Sequence, residues 1–401
     1  MEFPDFLRPH CRLFFSIDIV GSTRSKQSVY GNQQVDDQGT SWESIWYRDI
    51  AIFYRLFSDL FDEEYKDLPD QVKDTKALPN SLEKNRGPEL WKLKGDEVLF
   101  SHLIGSEIEI PYYVGAWLRA LRRFPDEFRR QVSNDASTPE CKGPNLEIKG
   151  TAWIGGFPVT NREIAYPVRF WTTTAGTLPD FPESIGDDII QNYWLLNYWY
   201  ERLDLRHNFI KDYVGPMIDS GFRLTGLSTP RKAAISIELA YFLAKSQSVL
   251  PKERFLPIVY EGRVQIPGVL EDNPYPFLWL DTMRMLSDEE RLDDLIYPNY
   301  ASSDKLLIYC QKFFEHHHDL LRVPFVWDGT DEHYRALDND FKKKLETMLD
   351  KWRYYKSLLE ENIEAKNRSA AGSVVADEPS IDVLMSDPDL VQTIRPPQED
   401  G

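Results

Sequence analysis

The order of apolar segments predicts an α+β protein, in which a sheet with antiparallel strands carries helices on one face. Three observations support this prediction. An apolar run at residues 13–20 is typical of a buried strand. The segment "ELWKLKGDEVLFSHLI" reads as two strands that turn through Gly95 and Asp96. Residues 42–65 and 112–132 place apolar side chains at the spacing of an amphipathic helix.

The remaining elements complete the order β-α-β-β-α-β with later additions. The segment "NLEIKGTAWIGGFPV" predicts a strand that ends in a glycine turn. The aromatic "NYWLLNYWYERLD" predicts a helix whose rings pack in the core or at a subunit interface. The last predictions are a loop and then a helix at "YVGPMIDSGFRLTGLS", a strand or helix at "KAAISIELAYFLA", and short strands at 255–260 and 277–280.

Composition divides the chain into three parts. Residues 1–280 form the predicted main domain, with a less regular insertion at about 160–211. Residues 281–366 contain a charged amphipathic helix and predict a helical extension. Residues 367–401 are rich in small and acidic side chains and contain proline, which predicts a disordered tail.

The formal net charge of −18, from 47 basic and 65 acidic residues, argues against binding to nucleic acid or to an anionic membrane. An anionic substrate would therefore need a local site of metal ions or clustered cations. The cysteines, Cys11, Cys141 and Cys310, have no disulfide or zinc spacing. No signal peptide and no apolar run of about 18 residues is visible. These features predict a cytoplasmic protein without membrane insertion.

Two aspartates stand where strands are predicted to end. Asp18 interrupts an apolar run, and Asp96 lies in the turn of the predicted hairpin. Carboxylates on adjacent strands repel each other, and a divalent cation such as Mg²⁺ or Mn²⁺ resolves that repulsion. The small residues after Asp18 would let backbone N–H groups approach a phosphate. These are Gly21, Ser22 and Thr23.

A third segment makes the pattern specific. In "KDYVGPMIDSGFRL", Asp219 and Arg223 follow Asp212 by seven and eleven residues. Together with "FFSIDIVGST" and "KLKGD", this segment resembles the motifs of the class III nucleotidyl cyclase catalytic domain. The resemblance covers roughly residues 13–280 and implies the ferredoxin-like sheet of that family. It also implies that the insertion and the C-terminal helices are additions to the domain.

For the metal side of the site, the resemblance implies two divalent cations, Mn²⁺ or Mg²⁺. Asp18 and Asp96 would bind them, with the backbone carbonyl of Ile19 as an additional ligand. One ion would activate the ribose 3′-hydroxyl of a nucleoside triphosphate, and the other would hold the triphosphate.

For the substrate side, the resemblance places Lys92 and Asp212 at the base-contacting positions. Arg223 would stabilise the charge that develops on the α-phosphate, and Asp219 stands at the ribose-orienting position. In this family the metal-binding aspartates come from one chain, and the arginine and base contacts from the other. The resemblance therefore implies a homodimer with two symmetric active sites.

The chain departs from the family pattern in two places. Asp219 replaces the usual asparagine, and a carboxylate lacks the amide donors. No convincing equivalent of the triphosphate-binding lysine stands near the last strands. Arg24 and Arg263 are weak substitutes, and an exposed basic residue such as Arg24 is more often solvated surface.

The residues at the base-contacting positions, Lys92 and Asp212, and the surrounding segments favour a pyrimidine substrate. A lysine can donate to a pyrimidine carbonyl while an aspartate accepts from an amino or imide N–H. The stretch "GPMIDSGFRLTGLSTPRKAAIS", the insertion and the extra helices resemble the bacterial pyrimidine cyclases of Pycsar anti-phage defence. That resemblance implies cyclic UMP or cyclic CMP as a signal to a separate cyclic-nucleotide-binding effector, with UTP favoured as the substrate.

Other interpretations remain open at this point. The substrate could be CTP or ATP. A non-catalytic nucleotide-binding homologue is a further alternative that only Asp219 favours, because degenerate members usually lose a metal-binding aspartate or the arginine, and Asp18, Asp96 and Arg223 are all present. A diguanylate cyclase is disfavoured because Lys94 stands where its hairpin has glycine. The cluster His316-His317-His318 predicts solvated surface, because three consecutive side chains of a helix cannot face one point.

Overall fold

The computed structural model describes residues 3–21, 45–68, 87–135, 146–168, 187–247, 250, 255–282, 288–296, 300–323, 325–327, 330–335 and 337–373. The strands are β1 (His10–Ile19), β2 (Glu89–Lys94), β3 (Glu97–Ile104), β4 (Ile148–Phe157), β5 (Arg162–Pro167), β6 (Phe209–Val214), β7 (Lys232–Ile235), β8 (Ile258–Val264) and β9 (Tyr275–Asp281). The helices are α1 (Ile45–Lys66), α2 (Ile110–Asp135), α3 (Asp188–Glu201), α4 (Pro216–Leu224), α5 (Ile237–Ser246), α6 (Asp288–Ile296), α7 (Ser303–His316), α8 (Asp331–Arg335) and α9 (Asn339–Ser373).

Seven strands form one sheet in the order β2-β3-β1-β4-β7-β9-β8. β1 lies between β3 and β4 and is antiparallel to both, whereas β4 and β7 are parallel. The two other pairs at the far side, β7–β9 and β8–β9, are antiparallel. β5 and β6 form a separate two-stranded sheet. The α+β prediction with an antiparallel-containing sheet is confirmed.

The alternation of β1 sends its side chains to two different environments. Leu13, Phe15 and Ile17 are fully buried in the main core with apolar residues of α1, α2 and α5. Phe15, for example, lies 5.3 Å from Trp117 of α2, measured between ring centroids. These three helices cover one face of the sheet, as the sequence predicts. The opposite alternation, which includes Phe14 and Asp18, faces the other side.

That second face is covered in part by α4 and the β5–β6 sheet. Phe14 stacks on Trp153 with ring centroids 5.6 Å apart, and Tyr213 of β6 meets Phe14 edge-on. α4 lies directly on Trp153, because a Cβ added at Gly221 would come within 2.3 Å of that ring. One helix therefore packs on the face opposite to α1, α2 and α5, in addition to the predicted layer.

The insertion and the extension share a second apolar core with the N-terminal segment. Phe6 meets Trp352 of α9 edge-on at 5.3 Å and Tyr193 of α3 at the same centroid distance. The aromatic segment predicted as a helix is α3. α9 continues to Ser373, past the boundary predicted at residue 366, and residues 374–401 lie outside the described part. The three-part domain division stays a prediction.

Two local predictions are refined by the structure. "KAAISIELAYFLA" contains both a strand, β7, and a helix, α5, which Ser236 caps by accepting from the Leu239 N–H at 3.3 Å. Tyr213 and Val214, expected in a loop, end β6.

The thiols of Cys11 and Cys310 are buried, and neither forms a disulfide. Within the described ranges, no helix combines the length and apolar character needed to cross a bilayer.

Candidate active site

Asp18 lies at the penultimate position of β1, where the buried strand reaches the edge of the core. Asp96 belongs to the tight turn between β2 and β3, which requires a left-handed backbone at Gly95, with φ of +68°. The Ile19 N–H donates to the backbone carbonyl of Asp96 at 3.2 Å. The Tyr54 hydroxyl of α1 donates to the carbonyl of Gly95. These bonds fix the turn beside the end of β1, so both predicted metal-binding aspartates belong to one corner of the sheet.

The electrostatics of Asp18 reflect this neighbourhood. Burial raises the pKa of Asp18 above its ordinary value, the ammonium of Lys149 acts in the opposite direction, and the charges of Asp96 and Glu97 raise the pKa further. Lys149 Nζ lies 3.3 Å from Asp18 Oδ2. Asp18 is thus a partly buried carboxylate that lies near two others and is neutralised by one lysine.

The donor set fits a hard divalent cation shared with a substrate. Among the residues described, no three or more His, Cys, Asp or Glu side chains are grouped to hold a metal ion. Two carboxylates, supplemented by the backbone carbonyl of Ile19, are nevertheless sufficient for Mg²⁺ or Mn²⁺ when phosphate oxygens and water complete the coordination. The hydrogen bond from the Ile19 N–H to the Asp96 carbonyl, which sets the Asp96 turn beside the end of β1, is the observation that supports this fit.

Lys92 and Asp212 form a direct ion pair between β2 and β6. Lys92 Nζ lies 2.9 Å from Asp212 Oδ1 and 3.2 Å from Oδ2. The Tyr213 N–H also donates to Oδ1, at 2.9 Å. Both side chains are partly exposed, so the pair is accessible to a ligand. The structure therefore brings the two predicted base-contacting residues together within one chain.

Trp91 is a site residue that sequence reasoning missed. The register of β2 and β3 shifts between Leu90 and Lys92, so Trp91 is an extra residue on the edge strand. Consecutive strand residues normally face opposite sides, yet Trp91 Nε1 also donates to Asp212 Oδ1, at 2.8 Å. Lys92 Nζ lies 4.2 Å from the centre of the Trp91 ring, a cation–π contact. No pattern in the sequence reveals this bulge.

Arg223 and Asp219 lie one turn apart on α4, and both are exposed. Arg223 Nη1 donates to the backbone carbonyl of Pro267 at 2.5 Å. Pro267 belongs to the loop between β8 and β9, in which three consecutive non-glycine residues have positive φ. These are Leu270, Glu271 and Asp272. Such backbone conformations are costly, and they persist only where surrounding contacts hold the loop in place.

The remaining predicted residues have mixed outcomes. Gly21 follows β1 with φ of +74°, whereas Ser22, Thr23 and Arg24 lie outside the described residues. Arg263 lies 5.4 Å from the ring centre of Phe313 in α7, so its guanidinium packs on the helical extension. The structure gives no support to Arg263 as a triphosphate ligand. His316 and His318 are exposed, as predicted for the histidine cluster, whereas His317 is half-buried and packs on Phe313 with ring centroids 4.4 Å apart.

The site residues thus form two groups within one protomer. Asp18 and Asp96 are a carboxylate group suited to divalent cations, and Lys92 with Asp212 is a donor–acceptor group suited to a planar heterocycle. Arg223 adds an exposed guanidinium at the end of α4, suited to phosphate oxygens. Each group has the chemistry to contact a different part of a phosphorylated heterocyclic ligand.

Comparisons with known proteins give the following results. A scan against protein-family models and a search of curated proteins both find no match. Among solved structures, the chain is similar to the adenylyl cyclase CyaB from P. aeruginosa, with 12% identity over 68% of this chain and 94% of that chain and a TM-score of 0.36. It is also similar to the guanylyl cyclase Cya2, with 11% identity, coverage of 70% and 95%, and a TM-score of 0.34.

A third similar structure is the guanylate cyclase domain of RhGC from Catenaria anguillulae in complex with GTP. It shares 12% identity with this chain, over 68% of this chain and 97% of that chain, and the TM-score is 0.32. At such low identities and TM-scores, the likeness assigns neither a family nor an activity to this protein.

Proposed function

We propose that this protein is a nucleotidyl cyclase that converts a pyrimidine nucleoside triphosphate, preferably UTP, into the 3′,5′-cyclic monophosphate and pyrophosphate. One observation carries the proposal. The backbones at Asp18 and Asp96, from two separate cyclase-like motifs, meet at one corner of the sheet, and Lys92 Nζ of the second motif lies 2.9 Å from Asp212 Oδ1 of the third. Motif order and spatial arrangement agree.

The metal side of the site uses Asp18 and Asp96, with the carbonyl of Ile19. Two divalent cations bound there would supply Lewis-acid activation of the 3′-hydroxyl and charge neutralisation for the triphosphate. The rigid end of β1 and the tight Gly95–Asp96 turn hold the two carboxylates in place before metal binds, which lowers the ordering cost of assembling the site.

The base side uses Lys92 and Asp212. Trp91 and Tyr213 donate to Oδ1 of Asp212, so this carboxylate is held as an acceptor towards a ligand. A uracil edge presents a carbonyl to Lys92 and an imide N–H to Asp212. The same two groups also fit the edge of cytosine or adenine, and CTP and ATP are the alternative substrates.

The reaction forms one bond and breaks one bond at the α-phosphorus. The ribose 3′-oxygen attacks it and loses its proton to solvent water, and the bond to the bridging oxygen breaks as pyrophosphate leaves with the electron pair. Arg223 would contact the α-phosphate oxygens as their charge develops. Asp219 would accept from a ribose hydroxyl. We further propose a homodimer in which Arg223, Lys92 and Asp212 of one protomer act with the aspartates of the other.

The proposed biological role is the synthesis of a second messenger in bacterial antiviral defence, in the cytoplasm. Cyclic UMP, or cyclic CMP, would bind a separate effector. This part of the proposal rests on the resemblance of "GPMIDSGFRLTGLSTPRKAAIS", the insertion and the helical extension to pyrimidine cyclases.

The experiment is a competition among substrates. Purified protein is incubated with equimolar ATP, GTP, CTP and UTP and Mn²⁺, and cyclic products are identified by mass spectrometry. Cyclic UMP as the main product supports the proposal. Exclusive conversion of ATP or GTP would refute the pyrimidine assignment but keep the cyclase. A lack of any cyclic product would favour a non-catalytic nucleotide-binding homologue.

A further inference from the structure

A basic residue outside the predicted set lies directly on the candidate metal site. Lys149 stands opposite Asp18 in the register of β1 and β4, and its Nζ lies 3.3 Å from Asp18 Oδ2. The exposed fractions of the two side chains are only 23% and 26%. This ion pair places a positive charge where Asp18 and Asp96 would otherwise be two carboxylates of like charge.

Lys149 also has a second partner. Its Nζ lies 3.2 Å from the backbone carbonyl of Thr225, immediately after α4. Carbonyl groups at a helix C-terminus attract cations, because the helix dipole is negative there. A lysine that leaves Asp18 would therefore keep a favourable hydrogen bond to the helical segment that carries Arg223.

We propose that Lys149 is a resident cation that neutralises Asp18 in the metal-free protein and gives way when a divalent cation binds. The inference rests on the proposed function, because it requires a metal ion at Asp18. A divalent ion bound to Asp18 would repel an ammonium a few ångströms away, so the two cations compete for the same carboxylate. Lys149 thereby stabilises the metal-free site and lowers its affinity for metal.

The test measures Mn²⁺ binding to the full chain by titration calorimetry, without nucleotide. Lys149→Met removes the charge and keeps an unbranched side chain of similar length. Loss of a partly buried competing charge is expected to lower the Kd for Mn²⁺ about three- to tenfold. In EDTA the variant should melt at a lower temperature than the wild type, and Mn²⁺ should raise its Tm by more.

Two further variants test whether the charge of Lys149, at that position, is what affects Mn²⁺ binding. Lys149→Arg keeps the charge and should keep a Kd for Mn²⁺ close to that of the wild type. Lys232→Met is the matched control, since Lys232 lies on β7 and pairs with Glu261 at 2.7 Å, with similar exposed fractions of 27% and 31%. Its removal should leave Mn²⁺ affinity unchanged.

The outcomes distinguish this inference from the proposed function. Equal Mn²⁺ affinity in the wild type and Lys149→Met overturns the role of Lys149 while the metal site stands. Unchanged Mn²⁺ affinity together with a raised KM for the nucleotide would instead assign Lys149 to the triphosphate. Failure of both proteins to bind Mn²⁺, both alone and with a 3′-deoxynucleoside triphosphate that cannot cyclise, would contradict the metal site itself, and this inference with it.

Discussion

Lys92 donates to both carboxylate oxygens of Asp212, at 2.9 and 3.2 Å, although 120 residues separate the two in the sequence. The bond joins the edge strand of the large sheet to the separate β5–β6 sheet. Trp91 adds a third link through its indole N–H. The pair that we propose to recognise the base is therefore held from both sides before any ligand binds, which reduces the entropy cost of binding.

The role of Trp91 can be isolated by Trp91→Phe, which removes the indole N–H and keeps an aromatic ring. Asp212 then loses one donor, and we expect the KM for the nucleotide to rise about three- to tenfold with a smaller change in kcat. Trp279→Phe is the matched control, because Trp279 Nε1 donates to Glu261 at 2.9 Å. Equal KM values for the Trp91 variant and the wild type would contradict this role.

The position of Arg223 can be disturbed through the loop that contacts it. A Cβ at Gly268 would come within 3.0 Å of the Arg223 guanidinium, whereas a Cβ at Gly262 meets nothing within 4 Å. Both glycines have positive φ, of +72° and +99°, so alanine introduces backbone strain at either position. We therefore expect Gly268→Ala to lower kcat at least about tenfold more than Gly262→Ala does. Steady-state kinetics of the two variants, at matched thermal stability, provide the measurement. Similar kcat losses would show that the contact with Arg223 is irrelevant.

The sequence predicts much of the fold because its signals are local. The Gly95–Asp96 turn, the buried run of β1 and the apolar periodicity of α1 follow from side chains that are close in sequence. The motif residues Asp18 and Asp212 could be selected for the same reason. The position of Asp212 in a strand could not be predicted, because β6 forms only by pairing with β5 in the tertiary structure.

The roles of Lys149 and Trp91 could not be predicted from the sequence, because each depends on the strand geometry of the folded sheet. The contact of Lys149 with Asp18 depends on the register between β1 and β4, and a shift by one residue would reverse the direction of its side chain. The orientation of Trp91 depends on a bulge in β2, which the residue types of "ELWKLK" do not specify.

A buried charge network in the β5–β6 sheet, which includes Lys211 next to Asp212, predicts a pH-dependent stability. Glu163 of β5 accepts from the Tyr200 hydroxyl at 2.6 Å and pairs with Lys211 at 3.1 Å. Burial alone would raise the pKa of Glu163, but the charges of Lys211 and His10 hold it well below the usual range. Its contribution to stability is therefore fully present above about pH 4.5 and is lost as the pH falls towards the lower folded pKa.

Glu163→Gln should lower the free energy of unfolding by about 3 kcal/mol at pH 7, because the buried Lys211 loses its counter-charge. Below about pH 4.5 the difference between wild type and variant should narrow. Urea unfolding monitored across this pH range provides the measurement. Glu63→Gln is the control, since Glu63 is 59% exposed in its pair with Arg123 and should matter by less than about 0.5 kcal/mol. A constant difference at all pH values would contradict the assignment.

Composite active sites in a homodimer can be tested by complementation. Asp18→Ala and Arg223→Ala should each abolish turnover. A mixed dimer would combine one doubly defective site with one intact site, so an equimolar mixture should recover about a quarter of the wild-type activity. Turnover is measured after the two variants are mixed and allowed to exchange subunits. An inactive mixture, with mixed dimers demonstrated by mass spectrometry, would place each complete site within a single chain.

The most direct test of the cyclase proposal is to quantify the products that the protein forms from UTP in the presence of Mn²⁺. The account predicts that the wild type forms 3′,5′-cyclic UMP and pyrophosphate in equal amounts. It predicts that Asp18→Ala and Asp96→Ala, folded as judged by their thermal unfolding, form neither. A wild type that makes no cyclic nucleotide from any of the four triphosphates would contradict the cyclase assignment. Metal-dependent turnover retained in either aspartate variant would contradict the proposed metal site.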